Sequence, residues 1–405
     1  MLRSLFSGIS GLRTHQTMMD VTGNNIANVN TTGFKGSQAT FQDTLSQLVS
    51  AAGAPQGRAG GSNPAQVGLG SRLAGITTNF SQGAQQNTGR STDLMIQGDG
   101  FFAVSDGNET LFTRNGSFSF DATGSLVTSS GKKVQGWQAN AAGAINSNAA
   151  VGPIKLPIGI QLKPTATDSA TFGGNLPGDA PYDPAATPAV IPTITTSMTV
   201  YDAMGTPKDL AVTFTRTGAV GAPPSWDVSF DGGTTTAATF AYDAAGTRTA
   251  PASPIVTTGG IDVDLTGITS FSGDSTVNPM EQNGSAIGAL QAFTISPDGT
   301  LVGVFSNGLK QPLGQIAVVN FNNPPGLEKA GDSTYRNTVN SGPVQFGTAG
   351  AGGRGVLQAN ALEMSNVDLA QEFTNLVIAQ RGFQANSRVI TTSDELLQDL
   401  VNLKR

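Results

Sequence analysis

The 405-residue chain contains 52 Gly and 21 Pro, and only 12% of its residues are charged, against a typical value of about 25%. This length predicts two or three domains, and the Gly-rich, charge-poor composition favours many short strands and turns. The net charge of −6 argues against nucleic acid as a main partner, and the absence of cysteine excludes disulfides, thiolate metal sites and Cys nucleophiles.

The N-terminal segment has the residue spacing of a helix with one apolar stripe. Ser and Gly residues interrupt the stretch, so it is a poor signal peptide. No run in the chain reaches the roughly 20 apolar residues that span a bilayer. We therefore expect a helix from residue 2 to about 27, no cleaved signal peptide and no membrane insertion. The apolar stripe consists of Leu2, Leu5, Ile9, Leu12 and Met19.

Asparagine residues are concentrated where this first helix is expected to end. Asn side chains compete for backbone hydrogen bonds and disfavour helix continuation. A turn at Thr32-Gly33 follows them. The segment is interpreted as a frayed helix end that also acts as a polar hinge, directing the chain out of the helix. The predicted hinge residues are Asn24, Asn25, Asn28, Asn30 and Gly33.

The middle of the chain, from about residue 31 to 360, has the pattern of strands and turns. Alternating runs at 197–201, 210–215 and 293–295 predict strands. Turn sequences such as Asp121-Ala122-Thr123-Gly124 separate runs of this kind.

Composition suggests boundaries within this middle region. Residues 51–64 are rich in Gly, Ala and Pro and predict an extended or flexible connector. A low-complexity stretch at 140–150 precedes a region of few charges, about 151–279, which is interpreted as an inserted domain.

The C-terminal segment, 366–403, has the fuller apolar stripe. One seam is apolar at every seventh position, and a second seam is half polar because Gln380, Ser387 and Asp394 fall on it. A long helix of this kind needs a partner helix to cover its stripe. The sequence leaves open whether the terminal helices pair within one chain or also between chains. The apolar seam residues are Leu369, Phe373, Leu376, Phe383, Ile390, Leu397 and Val401.

Residues that carry chemistry are scarce. His15 is the only histidine, which removes multi-His metal sites, and we expect it on the polar face of the first helix. Gly98-Asp99-Gly100 lacks the third glycine of a dinucleotide fingerprint, and Asp298-Gly299 lacks the spaced acids of a calcium loop, so both predict turns. No catalytic residue, metal site or cofactor is predicted.

Several segments resemble the flagellar axial family of rod and hook proteins. NNIANVNTTGFK (24–35) resembles the family's N-terminal signature, and AQRGFQANSR (379–388) resembles its C-terminal helix signature. QGDGFFAV (97–104) and TRNGSF (113–118) are similar to its central β-domain motifs. VYDAMG (200–205), FNNPPGL (321–327) and ALEMSNVD (361–368) resemble hook subunits in particular.

This resemblance implies an α+β multidomain fold. Terminal helices form a coiled-coil-like inner layer, and β-rich domains are nested progressively outward. The implied divisions are a terminal helical assembly domain (1–28 and 366–405), connector segments (29–70 and 335–365), an inner β-rich domain (71–147 and 285–334) and an inserted outer β-rich domain (148–284).

The resemblance also implies a function, partners and a location. The chain would be a structural subunit of the bacterial flagellar hook, polymerising with itself into a flexible tube that transmits motor torque as a universal joint. Implied partners are the distal rod protein, the hook cap protein, the hook–filament junction protein and the flagellar type III export apparatus. The implied location is the extracellular hook.

Two other functions remain open from the residues alone. One is a secreted binding module or adhesin with a coiled-coil stalk. The other is a hydrolase on a β-scaffold, which is disfavoured by the single histidine and the absence of cysteine.

Overall fold

The structure is a computed structural model. It describes residues 2–55, 57, 60–140, 142–156, 159, 161–218, 222–230, 232 and 235–403. The fold consists of a helix at each end of the chain and a large β-rich body, as predicted. The chain divides into two compact units. The first comprises Met1–Ile158, Phe293–Val302 and Gln311–Arg405, and the second comprises Gly159–Ala292 and Gly303–Lys310.

Both helices belong to the first unit and lie where the residue spacing predicted them. Helix α1 spans Leu2–Ala27 and helix α2 spans Leu369–Leu403. Helix α2 begins three residues later than predicted because Asp368 caps it. The Asp368 carboxylate accepts hydrogen bonds from the backbone N–H groups of Ala370 and Gln371, at 2.8 and 3.3 Å. Within the described residues, neither helix combines the length and apolarity needed to cross a membrane.

The strands are short, as the turn-rich composition predicted. Before the second unit they are β1 (Ser37–Asp43), β2 (Ser46–Ser50), β3 (Ala65–Gly68), β4 (Ser71–Thr78), β5 (Gln85–Asn87), β6 (Leu94–Gln97), β7 (Phe101–Ser105), β8 (Thr110–Thr113), β9 (Phe118–Phe120), β10 (Leu126–Thr128), β11 (Lys133–Gln138) and β12 (Gly152–Pro153). The second unit contains β13 (Gln161–Leu162), β14 (Ser169–Asn175), β15 (Thr193–Tyr201), β16 (Pro207–Thr217), β17 (Ser225–Ser229), β18 (Ala238–Tyr242), β19 (Arg248–Ala250), β20 (Ile255–Thr258), β21 (Ile261–Thr269) and β22 (Asn278–Gln282). The remaining strands are β23 (Gly288–Ile295), β24 (Thr300–Phe305), β25 (Lys310–Ile316), β26 (Val318–Asn320), β27 (Glu328–Gly331), β28 (Thr334–Arg336), β29 (Gln345–Gly347), β30 (Val356–Ala359) and β31 (Ala361–Glu363).

The body of the first unit is built on an antiparallel sheet. Strands β25, β11, β7, β8, β28 and β27 are neighbours in that order. Aromatic side chains dominate the core on this sheet, and Phe112 and Phe321 pack edge to face with ring centroids 4.8 Å apart. Two smaller antiparallel pairs, β6 with β30 and β5 with β31, fix the chain just before α2.

A second feature of the first unit is a long hairpin that follows α1. Strand β1 pairs with β4, and β2 pairs with β3, all antiparallel. Within the Gly- and Pro-rich stretch predicted from the sequence, Gly53 and Ser62 form an isolated antiparallel bridge. The apolar side chains of the hairpin are exposed to an unusual degree: Leu45 is 81% exposed and Val49 is 64% exposed.

The second unit has its own core. An antiparallel sheet runs in the order β15, β16, β17, β18, β19, and a second sheet runs in the order β20, β21, β14, β22, with β14 and β21 parallel. Trp226, Phe214 and Phe172 are fully buried in its core. The strands predicted at 197–201 and 210–215 lie within β15 and β16.

Candidate assembly site at the terminal helices

The two terminal helices pack against each other in antiparallel orientation within one chain. Near one end of the pair, the hydroxyl oxygens of Ser4 and Ser393 are 3.5 Å apart. At the other end, the Asn25 side-chain amide donates a hydrogen bond to the Glu372 carboxylate at 3.0 Å. The structure therefore shows that the terminal helices pair within one chain.

Small residues line the contact between the helices. A Cβ atom added to Gly11 would lie 2.6 Å from Oδ1 of Asn386, and one added to Gly382 would lie 2.4 Å from the imidazole of His15. A Cβ added to Gly8 would lie 3.2 Å from Cγ1 of Ile390. Because glycine has no side chain, these positions let the two backbones approach closely. The contact is thus a small-residue seam, in which Gly8 faces Ile390 of the predicted apolar seam.

His15 lies in this seam, which corrects the prediction that it occupies the polar face of α1. Its imidazole is half-buried against α2, where Gly382 leaves room for the ring. The Nδ1 atom is buried and has no hydrogen-bond partner among the described residues.

The apolar seam residues of α2 lie largely outside the contact with α1. Phe373 is 52% exposed, Leu369 40% and Val401 69%. Leu376, Ile390 and Leu397 are half-buried, and Ile390 lies against Gly8 of α1, while Phe383 remains 36% exposed.

The predicted stripe of α1 is similarly divided. Ile9 is 40% exposed, and Leu5, Leu12 and Met19 are half-buried. The side chain of Leu2 lies outside the described part of the chain. The heptad spacing missed further exposed apolar residues because they fall outside its two seam positions. These are Phe6, Val377, Ile378, Val389 and Leu396.

Asn25, one of the predicted hinge residues, sits at a joint between both helices and the connector. It is 1% exposed, and its amide donates to the Ser37 carbonyl at 2.8 Å as well as to Glu372. Its Oδ1 accepts from the Ser37 N–H at 3.0 Å. On the α2 side, Oδ1 of Asn366 accepts from the Gly36 N–H at 2.9 Å. Two asparagines thus attach β1 to both helices.

The other predicted hinge residues lie just beyond this joint. Asn28 is half-buried and donates to the carbonyl and the side chain of Asn24, while Asn24 and Asn30 are exposed. Gly33 has φ of 68°, and a Cβ at this position would lie 2.5 Å from the Asn115 backbone nitrogen. Only glycine fits both the left-handed conformation and this close approach.

A buried charge cluster ties the chain segments next to both helices to the β-rich body. Lys35 follows α1, Glu363 ends β31 before α2, and Arg114 follows β8. The Lys35 ammonium lies 2.6 Å from one Glu363 oxygen, and the Arg114 guanidinium lies 3.4 Å from the other. The side chains of Lys35 and Glu363 are fully buried, and that of Arg114 is 3% exposed.

Neighbouring groups complete the cluster. The Lys35 ammonium also donates to the Ser81 carbonyl at 2.7 Å, and the Gly83 N–H donates to Glu363 at 2.9 Å. The Arg114 guanidinium stands over the Phe101 ring, 5.3 Å from its centroid. Burial lowers the pKa of Lys35, and the Glu363 charge opposes that shift. Sequence reasoning did not single out this cluster, although each of its three charged residues lies in a motif that carried the family resemblance.

Comparisons with known proteins match this architecture along the chain. Family models match residues 5–35 ("Flagella basal body rod protein"), 95–202 ("Flagellar hook protein FlgE/F/G D1 domain"), 175–285 ("Flagellar basal body protein FlaE D2 domain") and 358–403 ("Flagellar basal body rod FlgEFG protein C-terminal"). The flagellar hook protein FlgE of Treponema pallidum is 40% identical over the full length of both chains. The chain belongs to the flagellar hook protein family.

Members of this hook family are structural proteins, and the family is not one of enzymes. The sequence resemblance is therefore confirmed. The family extends to rod proteins, since the basal-body rod protein FlgG of Bacillus subtilis is 34% identical over the full length of both chains. A crystal structure of Helicobacter pylori flagellar hook protein FlgE2 has the same fold, with a TM-score of 0.51 at 15% identity, covering 69% of this chain and all of that one.

Proposed function

We propose that this hook subunit polymerises through the apolar side chains that its paired helices leave uncovered. One observation carries the proposal: pairing within the chain uses the small-residue seam, so Phe373, Val377 and Ile378 remain more than half exposed. Burial of apolar surface stabilises association by about 25 cal/mol per Å². In this proposal the three side chains become buried in contacts between copies.

In this proposal the hinge residues named from the sequence direct the chain out of α1 into the connector, and the seam residues have a different role. The apolar seam residues of α1 and α2 form the contact between copies in an inner layer of the tube. The connector segments and the nested inner and outer β-rich domains, at the boundaries predicted from the sequence, lie progressively outward. A head-to-tail contact that does not close into a ring produces such a helical tube. Sparse surface charge lets outer domains shift as the tube bends and transmits torque.

The remaining partners follow from the same assignment. The subunit leaves the cell through the flagellar type III export apparatus without a cleaved signal peptide. It adds to the distal rod protein beneath the hook cap protein and later contacts the hook–filament junction protein. No cofactor, nucleic acid or membrane insertion is required. Neither the family models nor the relatives support the alternative of an adhesin with a coiled-coil stalk.

Replacing outward apolar residues of α2 tests the proposal. Phe373 and Val377 are one turn apart and are 52% and 53% exposed, so the Phe373→Ser/Val377→Ser variant should keep the monomer's melting curve. Its sedimentable polymer should fall sharply, because each contact between copies loses apolar area. Met204→Ser/Ile255→Ser, in the second unit, is the matched control and should polymerise normally. Normal polymerisation of the α2 variant would contradict this proposal.

Removal of most of the second unit should leave polymerisation intact. The sequence suggested residues 151–279 as removable, and a better junction exists at Thr165 and Ser285, whose backbones exchange hydrogen bonds at 3.1 and 2.9 Å. Joining these residues through a short Gly linker removes β14 to β22. The shortened chain should form tubes visible by electron microscopy, with altered curvature. Failure to form any polymer, with the first unit still folded by circular dichroism, would contradict an independent outer domain.

A further inference from the structure

A groove in the first unit lies between α1 and the start of β4. Its volume is about 440 Å³. Residues of α1 and of the 69–73 segment line it. The lining includes four apolar and two basic side chains: Phe6, Ile9, Leu69, Leu73, Arg13 and Arg72.

The apolar side chains of the groove are poorly covered within the chain. Phe6 is 66% exposed and Ile9 40%, and Leu73 on the opposite wall is 39% exposed. Such a concentration of exposed apolar side chains beside charged ones marks a surface that receives a partner.

The charge of the groove is uncompensated. Neither Arg13 nor Arg72 has an ion-pair partner in the part of the chain that the structure describes. The Arg72 guanidinium donates to the neutral side-chain amide of Gln42, at 2.6 and 2.8 Å with the amide oxygen turned toward it. The groove therefore suits an apolar segment that carries carboxylates.

The last turns of α2 have that chemistry. Val389 and Leu396 lie two turns apart on one face and are 41% and 56% exposed. Glu395 and Asp399 are exposed, one turn apart, on either side of Leu396 in sequence. No ion pair involves either carboxylate among the described residues. At 3.6 residues per turn both acids lie on the same side of this apolar face, roughly 60–100° around the helix from Leu396. The helix therefore presents two apolar anchors and one acidic edge to a groove with apolar walls and two arginines.

The same chain's α2 does not occupy the groove. It packs on the face of α1 that carries Gly8 and Gly11. At 3.6 residues per turn, Ile9 and Arg13 lie roughly 150° around the helix from that face. We infer that the groove binds the Val389–Asp399 face of α2 from a second copy of this chain. This inference rests on the proposed function. It specifies which surfaces of the two copies meet and that arginines of the groove face carboxylates of the second copy.

A charge-exchange experiment in the full-length chain tests the inference. Variant A is Arg13→Glu/Arg72→Glu, and variant B is Glu395→Lys/Asp399→Lys. Each alone should raise the critical concentration for polymerisation at least about tenfold, because like charges then face each other. An equimolar mixture should recover sedimentable polymer containing both chains, since A's groove accepts B's helix and B's groove accepts A's. The melting curves of both monomers should match that of the unmodified chain.

The possible outcomes separate the inference from the proposed function. Normal polymerisation of A and B alone overturns the inference but leaves polymerisation through the outward apolar residues intact. If polymer recovers in a chain that carries all four substitutions but not in the mixture, the contact lies within one chain and the inference is overturned. If polymer recovers neither in the mixture nor in the four-substitution chain, the inference is also overturned. Binding of dilute monomer to anionic vesicles that is lost in variant A, without recovery in the mixture, assigns the groove to a lipid surface. An unmodified chain that forms no polymer refutes the proposed function itself.

Discussion

Replacing Glu363 by Gln should lower the free energy of unfolding of the first unit by about 3–5 kcal/mol. The substitution keeps the shape of the side chain but leaves Lys35 and Arg114 buried without an opposing charge. Trp137 is in the first unit and Trp226 in the second, so a Trp226→Phe background isolates the first unit. Denaturant unfolding followed by Trp137 fluorescence measures the change.

A surface pair of similar geometry provides the control. Arg336 and Glu109 are 2.7 Å apart, but their side chains are 46% and 39% exposed. Glu109→Gln should therefore change the free energy of unfolding by less than about 1 kcal/mol. If Glu363→Gln and Glu109→Gln change the free energy of unfolding equally, burial does not make the cluster more important for stability than a surface ion pair.

An apolar replacement of the whole cluster separates stability from function. The variant Lys35→Met/Arg114→Met/Glu363→Leu removes all three charges and keeps most of the volume. Buried ion pairs replaced in this way often retain stability, because the cost of desolvating the charges disappears with them. A stable triple variant would show that the cluster contributes chiefly to geometry, by fixing where both helix connections join the β-rich body.

The Gly382→Ala substitution should destabilise the helix pair although alanine is the better helix former. Alanine in a helix interior is favoured over glycine by about 1 kcal/mol. At this position the added Cβ would lie 2.4 Å from the His15 ring, which forces α1 away from α2. Overpacking costs about 1–3 kcal/mol, so the net effect should be a loss. Amide hydrogen exchange in α1 should quicken, and polymerisation should weaken.

A control variant and a rescue variant test whether the clash with His15 is the cause. At Gly23, also in α1, an added Cβ meets nothing within 4 Å, so Gly23→Ala should slow exchange in α1 rather than quicken it. His15→Ala removes the clashing ring, so His15→Ala/Gly382→Ala should restore protection relative to Gly382→Ala alone. Slower exchange in Gly382→Ala itself would contradict the close approach of the two helices at this seam.

Much of the architecture follows from the sequence. Spacing of apolar residues placed both terminal helices, and the Gly-rich, charge-poor middle predicted short strands. Motifs at both ends and in the middle identified the family. Residue spacing and composition are local properties, and the motifs are recognised by their order along the chain. All of them can therefore be identified without knowing which segments are in contact.

The tertiary structure decided which faces of the helices meet. Heptad spacing showed that α2 carries an apolar stripe but not what covers it. The structure pairs the helices closely at Gly8, Gly11 and Gly382, and of the predicted stripe Ile390 lies against Gly8. Glycines that permit close approach leave no periodic apolar signal, because they contribute by lacking a side chain. Their role becomes visible only when the opposing residue is known.

The buried charge cluster shows the same limit over a longer distance. Lys35 and Glu363 are 328 residues apart in sequence. Considered separately, each would be expected on the surface, because Lys and Glu are rarely buried without a partner. The segment that follows α1 and the segment that precedes α2 meet in the fold, where the Gly33 N–H donates to the Glu363 carbonyl at 2.7 Å. Strand β31 pairs with β5, which places Glu363 opposite Gln85, and the Glu363 carboxylate contacts both Lys35 and Arg114. Sequence alone determines the elements and the family here, while the burial of charge depends on contacts that form only when the two ends of the chain meet.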